Sequence, residues 1–106
     1  MKNQENSRNK TLRRIQLLES NLAQVLEREQ RVNQALEELK TAQEHVGKTE
    51  NPMRMIGNIL VSQPKQEIEE YIEKQRSQKQ KNLEKIKESK KKMQDEVENL
   101  KEEIIQ

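Results

Sequence analysis

Apolar side chains recur along the first half of the chain at alternating steps of three and four residues. One row holds Ile15, Leu22, Glu29, Leu36 and Gln43; the other holds Leu18, Val25, Val32, Leu39 and Val46. Eight of these ten are apolar, which is the spacing of a narrow coiled-coil seam. The residues between them are mostly Glu, Gln, Arg and Asn, which suit the solvated face of a helix. Gly47 follows Val46, where a left-handed cap would close the helix. The pattern predicts a first helix over residues 8–46, preceded by a disordered tail over 1–7.

The second half repeats the rhythm. Ile72, Lys79, Ile86, Met93 and Leu100 form one row; Glu69, Arg76, Leu83, Lys90, Val97 and Ile104 form the other. Pro64 suits a first turn, where its missing N–H costs nothing. A second helix is predicted over 64–106. At 1.5 Å per residue each helix would be roughly 55–60 Å long. The lysines at 79 and 90 fall on the seam and weaken its middle.

Residues 47–63 break the pattern. Two short apolar runs, Met53-Arg54-Met55-Ile56 and Ile59-Leu60-Val61, flank Gly57-Asn58, the signature of a two-residue hairpin turn. In that register Ile56 faces Ile59 and Met55 faces Leu60, so both faces carry aliphatic side chains. A lone hairpin of this size is marginal in water, and its open edges invite another chain. Met53, Met55, Ile56, Gly57, Asn58, Ile59, Leu60 and Val61 are therefore read as a subunit-assembly element. The alternative is a loop packed on its own helices.

The helices can fold back in two registers, one heptad apart. In the first, Ile15 meets Leu100, Leu18 meets Val97 and Leu22 meets Met93. In the second, Ile15 meets Met93, Leu22 meets Ile86, and Glu29 sits opposite Lys79. The sequence leaves both open. The fold class is mainly α: an antiparallel two-helix coiled coil joined by a short β-hairpin.

Composition narrows the classes further. Of the 106 residues 38% are charged and 29% hydrophobic, and Tyr71 is the sole aromatic, so a thick globular core is out of reach. Cysteine is absent, which removes disulfides and thiolate chemistry. No apolar run approaches the ~20 residues of a membrane span, and Met1 to Asn6 is polar, unlike a signal peptide. A soluble cytoplasmic protein is expected, without membrane partners. The net charge of +2 is too small for a general attraction to nucleic acid.

Candidate chemistry is sparse. The stretch from Lys74 to Lys92 is basic, carrying Lys79, Lys81, Lys85, Lys87, Lys90, Lys91 and Lys92 against Glu84 and Glu88. It lacks the interleaved aromatics of a nucleic-acid interface, and a solvated helix face is the simpler reading. His45 stands alone near the end of the first helix, a poor metal site or general base. No Gly-rich phosphate loop, HExxH or Ser/His/Asp set exists. Catalytic residues, cofactors and metals are all expected to be none. The helix ends are richer: Leu12, Ile15, Leu17 and Leu18 begin one helix, and Val97, Leu100, Ile104 and Ile105 end the other. Leu17 and Ile105 lie off the seam and widen the apolar stripe. These eight could contact exposed apolar segments of non-native proteins, or simply close the coil.

At Met53-Arg54-Met55-Ile56-Gly57-Asn58-Ile59-Leu60-Val61 the chain resembles the β-type subunits of prefoldin. That family reads helix, short linker, an Ile/Val-Gly-x-x-Leu/Val hairpin, then a second helix of equal length. The layout matches over nearly the whole chain; the specific part covers residues 53–75, ending in Glu67-Ile68-Glu69-Glu70-Tyr71-Ile72-Glu73-Lys74-Gln75. Subunit 1 of the eukaryotic complex is slightly closer than its other β-type subunits, and an archaeal β-subunit stays open. Gly47 to Pro52 departs from the family in lacking an aspartate-rich stretch and a following aromatic.

The resemblance implies a hexamer of two α-type and four β-type subunits whose hairpins close into intersubunit β-barrels. It implies an ATP-independent co-chaperone whose helix tips hold unfolded clients (actin- or tubulin-like in a eukaryote) for a group II chaperonin. The rival reading is a coiled-coil scaffold or adaptor subunit of another complex.

Overall fold

The structure is a computed structural model; it describes the backbone of residues 2–105 and the side chains of residues 6–105. Four elements follow one another: helix α1 (Lys2–Lys48), strand β1 (Met53–Ile56), strand β2 (Ile59–Ser62) and helix α2 (Lys65–Ile105). They fall into two units, one of residues 1–30 and 84–106, the other of residues 31–83.

Helix α1 already runs at Lys2, so residues 2–7 are helical where a disordered tail was expected. Lys2, Gln4, Glu5 and Arg8 are good helix formers, and propensity carries the helix back beyond the first seam residue. Met1 of that tail lies outside the described residues. At the other end, Gly47 does not act as a left-handed cap; Gly57 is the only described residue with positive φ. The helix continues to Lys48 and closes through Thr49. The Thr49 amide donates to the Val46 carbonyl at 3.2 Å, and its hydroxyl donates to the His45 carbonyl at 2.7 Å. Lys65 Nζ donates to the Gly47 carbonyl at 3.0 Å, so a further orphan acceptor of the last turn is met. Pro64 sits one residue ahead of α2, and its carbonyl accepts from the Glu67 and Ile68 amides.

In the unit of residues 1–30 and 84–106 the helix segments pack antiparallel along the seam. Ile15, Leu18 and Val97 form a buried cluster, with Met93, Leu100 and Ile104 packed on it. These contacts select the first of the two registers. Glu29 and Lys90 confirm it: the seam carboxylate accepts from the seam ammonium at 2.9 Å, both side chains largely covered. In the second register residue 90 would stand opposite Leu18, placing an ammonium in the apolar seam. The two charged seam residues of this unit thus answer each other. Arg14–Glu96 at 3.1 Å and Lys101–Glu19 at 3.2 Å add exposed cross-helix pairs, each worth about 0–1 kcal/mol.

In the unit of residues 31–83 the buried aliphatics are Ile68, Ile72 and Leu83, all on α2. This corrects the expected second seam row: Glu69 and Arg76 are exposed, and Ile68 and Gln75 take their places facing inward. The covered positions run 68, 72, 75, 79, 83, 86, 90, with two successive four-residue steps around Lys79. Such a stutter shifts the heptad phase, so a row projected back from Leu83 misses by one residue. Gln43 is likewise exposed, and its side-chain oxygen accepts from Arg76 Nη1 at 3.2 Å. Both belong to a polar contact beside the seam.

Candidate functional site

The hairpin is built as its residues dictate. β1 and β2 pair antiparallel, Met53 with Ser62, Arg54 with Val61, Met55 with Leu60 and Ile56 with Ile59. Gly57 has φ of 59° and Asn58 a negative one, the pattern of a type II′ turn with glycine first. That twist matches the twist of the flanking strands, which is why two residues suffice.

Cross-strand partners share a face. One face carries Arg54 and Val61 with Ile56 and Ile59; the other carries Met53, Met55 and Leu60 with Ser62. Arg54 and Val61 are half-covered, and Arg54 lies over the ring of Tyr71 on α2, its guanidinium carbon 3.6 Å from the ring centroid. This cation–π contact gives the single aromatic a role and turns one hairpin face toward the helix. On the other face and at the turn, Met53, Met55, Ile59 and Leu60 are each 60–67% exposed. Among the described residues the sheet has two strands, so each keeps an outer edge of unpaired backbone groups.

The second surface lies on the unit of residues 1–30 and 84–106. Of the eight aliphatics singled out at the helix ends, Ile15, Leu18 and Val97 are buried against one another. Leu100 and Ile104 are half-buried on that cluster. Leu12, Leu17 and Ile105 are exposed, Ile105 most of all. Inner members close the coil while outer ones face solvent. Next to them runs a groove of about 490 Å³, with Leu22, Val97 and Ile105 along it and Gln94, Glu98 and Glu102 forming one wall. The eight aliphatics do not include the groove's polar wall. Its signal was present as the four-residue spacing of Gln94, Glu98 and Glu102, which stacks them on one helix face.

Elsewhere, a polar groove of about 510 Å³ lies along α2 among Glu70, Glu73, Lys74, Ser77, Gln78 and Lys81. Most of the lysines between 74 and 92 are exposed; Lys79 and Lys90, both on the seam, are partly covered. His45 is exposed, and its carbonyl is occupied by Thr49. Among the described residues no three side chains of His, Cys, Asp or Glu gather as a metal site, and no helix is long and apolar enough to cross a membrane.

Two long helices that pack along a heptad seam, with a short aliphatic β-hairpin between them, define a helix–hairpin–helix coiled-coil fold. The sequence model of the prefoldin subunit family matches residues 2–106, and the chain belongs to that family. It is a family of non-enzymatic chaperones and scaffolds. No curated protein matches the chain.

Proposed function

We propose that the chain is a β-type subunit of a hexameric prefoldin, working without ATP in the cytoplasm. Its hairpin joins those of α- and β-type partners in intersubunit barrels. Its helix ends hold non-native clients and release them to a group II chaperonin. The observation that carries this reading is the exposure of Met53, Met55, Ile59 and Leu60 on a hairpin with two open edges. An aliphatic side chain gains about 1.5–3 kcal/mol when fully buried, so these exposed side chains and the open edges favour strand addition from a partner. Family membership supports the same reading, since it points to oligomerisation with other prefoldin subunits.

The deciding measurement is the mass and composition of the complex purified from its own cytoplasm. Six small coiled-coil chains that co-purify with a chaperonin are expected. A monomer or simple homodimer without such companions would overturn the assignment in favour of a scaffold.

A further inference from the structure

The groove beside the helix ends carries a charge pattern as well as an apolar lining. Lys101 is paired with Glu19 at 3.2 Å across the two helices, so its charge is answered. Glu98 and Glu102 are exposed, four residues apart on one wall, and no ion pair among the described residues engages either. The nearby cation Arg14 is held by Glu96 at 3.1 Å. The groove therefore combines aliphatic contact at Leu22 and Ile105 with two carboxylates along its wall that no ion pair among the described residues engages.

We propose that this groove receives aliphatic segments of non-native chains that are flanked by lysine or arginine, and disfavours those flanked by acids. The inference rests on the client-holding reading of the helix ends and gives it a substrate class. Aggregation-prone stretches in natural sequences are commonly bordered by charged gatekeepers, so a groove that accepts the stretch also meets its borders. Lysine and arginine suit the wall doubly, since their alkyl stems cover apolar surface while the heads reach the carboxylates. An exposed pair contributes modestly, and two such pairs give a preference of about 3- to 10-fold.

The test uses the chain in the assembly it purifies with, carrying a photo-crosslinking amino acid in place of Gln94. Two unstructured peptides share one aliphatic core, one flanked by lysines and the other by glutamates. The lysine-flanked peptide should crosslink about 3- to 10-fold more, and Glu98→Gln with Glu102→Gln should level the two. Raising the salt to about 1 M, where the screening length is roughly 3 Å, should level them as well. Equal crosslinking in low salt would overturn the charge preference while leaving the helix ends as client sites. Crosslinking by neither peptide would overturn both.

Discussion

In the unit of residues 1–30 and 84–106, Leu18 is 3% exposed and packs with Ile15 and Val97, and the seam charges Glu29 and Lys90 meet each other. In the unit of residues 31–83, Ile59 is 67% exposed, with Met53, Met55 and Leu60 close behind. The aliphatic types are similar and their fates opposite. A helix seam repeats every seven residues and finds its complement in the returning helix of the same chain. A two-stranded hairpin has two faces and two edges, and its own chain covers only part of one face, through Arg54 and Tyr71. The first region covers its seam within the chain and leaves only outer residues such as Leu17 and Ile105 exposed; the second leaves most of its hairpin aliphatics exposed.

The strongest way to break this contrast is to replace the outer hairpin face. Met55→Lys with Leu60→Glu puts opposite charges on directly paired residues, which preserves the hairpin while removing its apolar contact surface. Assembly should fall by 100-fold or more, taking about 3 kcal/mol as the loss of two buried aliphatics. Helix content by circular dichroism should be unchanged. Intact assembly in native mass spectrometry would show that the outer face is not the joint.

Truncation at the helix ends should separate neighbours. Leu18→Ala leaves a cavity in the buried cluster and should cost about 2–5 kcal/mol, whereas exposed Leu17→Ala should stay within about 0.5 kcal/mol. Urea denaturation of the assembled protein reads both. Equal losses would mean that the cluster is not the core of that unit.

The Glu29–Lys90 pair tests what holds the register. Lys90→Ala leaves a partly buried carboxylate without its partner and should cost about 1–3 kcal/mol. Lys90→Leu also removes the penalty of the second register, because position 90 then meets Leu18 with an apolar side chain. The chain has no cysteine, so introduced pairs are unambiguous. A disulfide between Leu22→Cys and Ile86→Cys should form more readily in the Lys90→Leu background than in the parent. Equal yields in the two backgrounds would remove Lys90 from the choice of register.

A small effect is expected at the turn. A Cβ on Gly57 meets nothing within 4 Å, so Gly57→Ala is penalised only by its φ of 59°. The cost should be about 1 kcal/mol, read as a modest weakening of assembly. Asn at the same position, which tolerates left-handed backbone, should recover part of it. A change as large as that of the Met55/Leu60 pair would mean that Gly57 contacts a partner directly.

Much of this architecture was legible because it depends on local periodicity. The α1 seam follows from Ile15 to Val46, and the hairpin register follows from Gly57-Asn58, since a two-residue turn leaves one way to pair the strands. The α2 seam was legible only in part. Its stutter at Lys79 can be placed only by the surface that α2 packs on, because Lys79 and Gln75 give no apolar signal of phase. The hairpin residues stood out as a break in the heptads; the polar wall of the groove did not, since glutamates on a helix ordinarily face water.

By itself the sequence determined two helices, the turn between two aliphatic strands, and the shortage of bulky side chains that rules out a thick core. These rest on spacing and on the φ preferences of single residues. Tertiary structure decided the register, the phase of the second seam, the end of α1 at Lys48 and the stacking of Arg54 on Tyr71. Each of those compares arrangements with nearly equal local energy. The balance tips only when particular partners meet, as Lys90 meets Glu29 rather than Leu18.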